Sequence, residues 1–155
     1  MCYYYKVNFS QITDDLFVGV TPAQDDCSLL HQLGVRLIIN MRAEHRLRVD
    51  CSDPHLSILW LRTYDTPLWP ISVATLRVGV HAALDTISAG GKVYAHCRAG
   101  AHRSVVMAAS ILIAQGTSAQ EAMRLIKQRR AVADPDAWYI RWRINRFAAT
   151  WERAK

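Results

Sequence analysis

Apolar and polar positions along this chain alternate between two periods. Short, nearly unbroken apolar runs read as buried strands, and stretches with apolar residues every three or four positions read as helices. Residues 3–9 are aromatic and β-branched, residues 10–15 carry turn formers, and residues 16–20 are apolar again. That pattern predicts a strand, a turn and a second short strand, with Tyr3-Tyr4-Tyr5 as edge-strand packing. Thr21-Pro22 opens a helix whose apolar face is Leu29, Leu30 and Leu33 and whose stop is Gly34. Residues 35–41 are almost continuously apolar, as suits a central parallel strand. A polar loop over 43–54 follows, then a strand at 58–61 and a Pro-containing loop over 63–70. Leu76, Val80, Ala83, Leu84 and Ile87 give residues 72–87 helical periodicity, ending at Gly90-Gly91. A strand at 92–95 and a buried helix at 105–115, closed by Gly116, come next. Ser118 and Glu121 have capping-box spacing and open a helix to about Gln128. Asp134-Pro135 caps a last amphipathic helix, with Trp138, Tyr139 and Trp142 as core residues.

This order predicts an α/β fold. A central, mostly parallel sheet of roughly four to five strands carries helices on both faces. Ligands in such sheets bind beyond the carboxyl ends of the strands. The loops that follow the strands at 58–61 and 92–95 should therefore open on the same rim.

Composition adds limits. Half the residues are apolar and a fifth charged, which suits one globular domain over residues 1–155. No apolar stretch is long enough to span a bilayer, and the first residues lack the build of a signal peptide, so a cytoplasmic location is expected. The net charge of +6 favours anionic partners. Much of the excess lies late in the chain, where Arg129 and Arg130 are the best candidates for more than solvation. Nucleic acid is not expected, because no aromatic–basic interleaving is present. None of Cys2, Cys27, Cys51 and Cys97 forms a CxxC pair, so no metal or cofactor is expected. Cys27 or Cys51 as a disulfide partner for an oxidised Cys97 stays open.

The candidate chemistry lies in residues 96–104, His-Cys-Arg-Ala-Gly-Ala-His-Arg-Ser. A strand precedes them and a helix follows. Backbone N–H groups in such a corner can turn inward around a tetrahedral anion, and the helix N-terminus adds positive charge. A thiol placed there has its anion stabilised. An arginine at the helix start can grip two phosphate oxygens at once. The pattern is a phosphate cradle with Cys97 at its base and Arg103 at its wall. His96, at the strand end, is expected to orient the loop by hydrogen bonds.

His96-Cys97, five residues, Arg103 and Ser104, with Gly100 third after the cysteine, resembles the signature loop of the cysteine-dependent protein phosphatases. The Ala99-Gly100 pair and the chain's small size resemble the small atypical dual-specificity branch. The resemblance runs coarsely from about residue 12 to 147. It implies hydrolysis of phosphotyrosine and phosphoserine/phosphothreonine monoesters through a phosphocysteine intermediate, with Arg98, Ala99, Gly100, Ala101, His102 and Arg103 holding phosphate. It also implies a shallow pocket.

A phosphocysteine route needs a group that protonates the leaving oxygen and then activates water. Asp65 is the choice, because its loop follows a strand on the expected rim and because the resembling family carries its acid in the corresponding loop. Asp50 and Asp53 are weaker alternatives at the far end of the sheet. Ser104 is expected to donate to the Cys97 sulfur. His102 departs from the small residue many dual-specificity members carry there. A similar His occurs in an atypical plant and fungal branch that resembles inositol-phosphate phosphatases. Phosphorylated proteins and other anionic phosphomonoesters, phosphoinositides included, are therefore both candidate substrates. A rhodanese-type sulfurtransferase and a non-catalytic phosphate-binding module are the more distant alternatives.

Overall fold

A computed structural model describes residues 8–50 and 53–154. The elements are β1 (Phe9–Thr13), β2 (Leu16–Val20), α1 (Asp26–Gln32), β3 (Val35–Arg42), β4 (Ser57–Thr63), α2 (Val73–Ser88), β5 (Lys92–Cys97), α3 (Arg103–Ala114), α4 (Ala119–Arg129) and α5 (Trp138–Arg153). The sheet order is β1-β2-β5-β3-β4. Only β1 runs antiparallel to its neighbour. The expected α/β architecture is thus the observed one.

The register explains where a site can form. Val20 pairs with Cys97, Asn40 with His96, and Arg42 with Thr63. The carboxyl ends of β2, β5, β3 and β4 therefore finish at one edge. Beneath that edge, α3 is buried along its length from Arg103 to Ile113. A helix apolar on every side has to be central. It packs between the sheet and α2, α4 and α5, in a core that includes Leu37, Ile39, Val93, Val106 and Phe147. The other sheet face is covered over Phe17, Val35, Ile38 and Tyr94 by Leu30 of α1 and by Leu47.

Three boundaries differ from expectation by more than two residues. Residues 10–13 are strand, not turn: Ser10 pairs with Val18 and Gln11 with Phe17, while Ile12 is buried. An edge strand accepts polar residues on its open face, which made this segment read as a turn. Residues 1–7, including the expected start of that strand, lie outside the described residues. Helix α1 begins at Asp26, because the Asp26 carboxylate accepts the Ala23 N–H at 2.7 Å and holds residues 23–26 as a turn. Helix α5 begins at Trp138. Asp134 gives its N–H to the Ala101 carbonyl at 2.9 Å, and its carboxylate accepts the Ala137 N–H at 3.2 Å.

The aromatic residues of α5 are a correction. Trp138 is 71% exposed and Trp142 49%, so neither is core. The buried stripe is Ile140, Arg143, Ile144 and Phe147. Trp138 and Trp142, one helical turn apart, share the outward face.

Gly19 is a packing constraint in this arrangement. A Cβ there would fall 2.6 Å from Phe9 Cβ and 2.7 Å from the Asn8 carbonyl oxygen, and against the Tyr94 hydroxyl. Gly19→Ala is expected to destabilise by roughly 1–3 kcal/mol through overpacking. At about 2–4 °C per kcal/mol for a domain of this size, calorimetry should show a visibly lower thermal midpoint. An unchanged midpoint would contradict the packing. Gly79→Ala, which meets the flexible end of Met107, should cost less.

Candidate active site

Cys97 ends β5 with 2% of its surface exposed, and Arg103 begins α3. Between them the chain must reverse within five residues. Gly100 makes this possible at φ 65°, and a Cβ there would lie 2.8 Å from the Gly19 carbonyl oxygen. Behind the loop stands Arg130, at the end of α4 and 3% exposed. Its Nε donates to the Gly100 carbonyl at 2.7 Å and its Nη2 to the Ala99 carbonyl at 3.0 Å. Its Nη1 reaches Asn8 Oδ1 and Ser10 Oγ. The Ala101 carbonyl is taken by the Asp134 N–H. With these carbonyls turned outward, planar peptides leave N–H groups free to face inward.

Those N–H groups reach the sulfur. Burial alone pushes the Cys97 thiol up. The Ser104 hydroxyl and the backbone amides of Ser104, His102 and Gly100 outweigh it, so the thiol lies below its ordinary value. Cys97 Sγ and Ser104 Oγ are 3.2 Å apart.

Arg103 is 3% exposed and held from outside the loop. Its Nη1 and Nη2 donate to the two Glu44 carboxylate oxygens at 2.8 and 2.9 Å, and Nη1 also donates to the Thr63 carbonyl at 3.0 Å. Its Nε is buried with no acceptor. Burial lowers the tendency of Arg103 to stay charged, but Glu44 and Cys97 more than restore it. The same pair holds the Glu44 carboxyl down to about 2, chiefly through the Arg103 hydrogen bond and against its own partial burial. Glu44 did not figure among the candidates read from the sequence. The available signal was an acid in the loop that leaves β3 on the same rim.

Asp65 faces the cysteine loop from the β4–α2 connection. Its Oδ2 lies 3.0 Å from His102 Nδ1, and Tyr139 donates to its Oδ1 at 3.2 Å. The Tyr139 hydroxyl is also 3.3 Å from His102 Nδ1. Tyr139, expected in the core, packs half-buried against it and turns its hydroxyl to the site. Burial first, and then the Asp65 charge, push its phenol up. Arg143 of α5 fixes the Asp65 loop by donating to the carbonyls of Thr66 at 2.6 Å and Trp69 at 3.0 Å.

Glu44, Tyr64, Asp65, Thr66, Cys97, Arg98, Ala99, Ala101, His102 and Arg103 line one open cavity of about 490 Å³. Arg98 is exposed at its mouth, and Gly100 is buried behind it. Asp50 and Asp53 are not among the lining residues; Asp53 pairs with His31 and Arg36. His96 is another correction. It is fully buried, held neutral by a value pushed down to about 3 by burial, and its ring nitrogens have no well-formed hydrogen bond. It shapes the strand end by packing against Tyr94. Cys27 is disulfide-bonded, and Cys51 lies outside the described residues. Cys97 is the free thiol among the described residues.

Residues 16–146 match the family described as "Dual specificity phosphatase, catalytic domain". The chain belongs to the dual-specificity phosphatases. That family is a branch of the cysteine phosphatases, enzymes that hydrolyse phosphomonoesters. This phosphatase is 33% identical over 134 residues to human phosphatidylglycerophosphatase and protein-tyrosine phosphatase 1, covering 79% of this chain and 65% of the relative. It is 28% identical to rat dual specificity protein phosphatase 5, covering 84% of this chain and 33% of the relative. The chain thus spans less than two thirds of either. The crystal structure of PTPMT1 in complex with PI(5)P is 26% identical, with TM-score 0.82, covering 95% of this chain and 99% of that one. No helix among the described residues of the phosphatase is long and apolar enough to cross a membrane.

The Glu44–Arg103 pair has a pH signature. A carboxyl held below its ordinary value stabilises the fold fully above about pH 4.5, and that contribution is lost as pH falls through about 2. The thermal-midpoint gap between wild type and Glu44→Gln should therefore be widest at neutral pH and narrow between pH 4.5 and 2. A gap that stays constant over that range would contradict a charged pair.

Proposed function

We propose that this phosphatase hydrolyses phosphotyrosine and phosphoserine/phosphothreonine esters of proteins through a phosphocysteine intermediate, with no metal in the chemistry. The observation that carries the proposal is the convergence of Cys97, Arg103 and Asp65 on one cavity, with Ser104 touching the sulfur.

In the first step the Cys97 thiolate attacks phosphorus, and the bond to the ester oxygen breaks. Asp65, protonated, gives its proton to that departing oxygen. The inward amides and Arg103 meet the charge that builds on the equatorial oxygens. The buried Nε of Arg103, which has no acceptor, is the donor a bound phosphate would satisfy. In the second step the Asp65 carboxylate takes a proton from water as that oxygen attacks phosphorus. The phosphorus–sulfur bond breaks, and the Ser104 hydroxyl and the amides receive the thiolate. Inorganic phosphate leaves. His102 and Tyr139 hold one Asp65 oxygen each, so the carboxyl is oriented before substrate arrives.

Protein substrates are supported by the family match and by rat dual specificity protein phosphatase 5. A second reading, a phosphoinositide or inositol-phosphate substrate, is favoured by the complex of PTPMT1 with PI(5)P and by the exposed Arg98 at the mouth.

The test is kinetic, on a phosphopeptide and a soluble phosphoinositide side by side. Cys97→Ser should abolish turnover of both while still binding them, measured by calorimetry. Asp65→Asn should lower kcat by roughly 10²–10⁴-fold, the range of acid–base contributions. The loss should shrink for an ester whose leaving oxygen needs no proton. Wild-type rates for Asp65→Asn on a poor leaving group would remove Asp65 from the mechanism.

A further inference from the structure

Among the described residues, five large apolar side chains are exposed in two segments beside the cavity: Tyr64, Leu68, Trp69, Trp138 and Trp142. Leu68 is 89% exposed and Trp138 71%. The two segments are tied together. Arg143 donates to the Thr66 and Trp69 carbonyls, and its guanidinium stacks 5.1 Å from the Tyr139 ring. Trp138 meets Tyr139 edge-on at 5.8 Å, and Tyr64 meets Trp69 at 6.1 Å. Tyr64 itself lines the cavity, so the apolar rim is continuous with its mouth.

The shape and charge of this rim select its occupant. Residues 67–70 read Pro-Leu-Trp-Pro, and all four are exposed. Prolines on both sides stiffen a projecting tip, so little chain entropy is lost when it is immobilised. A protruding leucine fits penetration of a soft surface rather than reception of a side chain in a groove. Tryptophan favours the layer between headgroups and acyl chains, and arginine can lie along apolar surface with its charge in the headgroups. Arg146 is placed that way, 5.2 Å from the Trp142 ring, and Arg141 is exposed one residue before it. Helix α5 carries four arginines against one glutamate, and the whole chain is +6. Asp134 and Asp136 precede its start, and Asp65 accepts from Tyr139 in its first turn. Asp136 lies 3.9 Å from Arg141, and Asp134 lies 3.9 Å from His102.

We propose that this aromatic and basic rim docks the phosphatase on an anionic lipid bilayer, which brings phosphomonoester headgroups to the Cys97 cavity. The proposal rests on the phosphatase reading, in its phosphoinositide form, for the cavity but not for the docking. Leu68 and Trp138 would enter the interface, while Arg141 and Arg146 meet lipid phosphates. Peripheral surfaces of this composition bind through apolar burial and charge together.

The test is sedimentation of the full chain with vesicles of phosphatidylcholine alone or with about one third phosphatidylglycerol. Wild type should bind the anionic vesicles, and added salt should weaken that binding. The double variant Leu68→Asp/Trp138→Ser should lose affinity at least roughly tenfold while hydrolysing p-nitrophenyl phosphate as wild type does. Arg141→Glu/Arg146→Glu should lose affinity for the anionic vesicles too. Cys97→Ser should sediment like wild type, which separates failure of docking from failure of the catalytic reading. Absence of wild-type binding to anionic vesicles, or equal binding by wild type and the Leu68/Trp138 variant, would overturn the proposal. A variant that hydrolyses p-nitrophenyl phosphate normally, binds vesicles normally and loses only phosphopeptide turnover would assign the rim to a protein partner instead.

Discussion

What Cys97 is able to do depends on where three carbonyl oxygens point. Ala99, Gly100 and Ala101 give theirs to Arg130 and to the Asp134 amide, on the side of the loop away from the sulfur. Because each peptide is planar, fixing a carbonyl fixes the N–H on its other edge. Of the amides that lower the thiol, that of Gly100 is therefore held from behind by a guanidinium that does not itself line the cavity, and that of His102 by way of the Asp134 amide. Gly100 is needed for the same reason: no residue with a Cβ fits between Arg130 and the Gly19 carbonyl at a positive φ.

The second constraint is charge in a buried place. Arg103 sits under the rim of the sheet, where an unpaired cation is costly. Glu44 supplies the counter-charge and takes two of its donors in fork geometry, leaving the buried Nε facing no acceptor. Three strand ends thereby meet in one guanidinium: β3 through Glu44, β4 through the Thr63 carbonyl, and β5 through the loop itself. Preorganisation of this kind costs nothing at the moment a phosphate arrives.

Helix α5 joins the Cys97 cavity to the exposed aromatic rim. Its Tyr139 fixes the Asp65 carboxylate, its Arg143 fixes the backbone of the same loop, and Trp138 and Trp142 emerge beside them. The Asp65 loop and the exposed rim beside it share Tyr139 and Arg143 as neighbours. A contact made by the rim therefore lies next to the segment that sets the position of Asp65.

The sequence alone determined what depends on near neighbours. The strand that ends at Cys97, the five-residue reversal with its glycine, and the helix that opens at Arg103 are local features, so composition and periodicity expose them. Asp65 was reachable too, because parallel strands bring their following loops to one rim. What only the tertiary structure decided are pairings between distant positions. Glu44 meets Arg103 across 59 positions, and Tyr139 meets Asp65 across 74. Nothing local in either stretch encodes the partner. Helix α5 shows the same limit: its sequence carries two apolar stripes, and periodicity cannot say which one faces the core. Packing against α3 chose Ile140, Ile144 and Phe147, and left the tryptophans to the surface. Hydrophobic pattern fixes the type of an element, but the shape of its neighbours decides which face is buried.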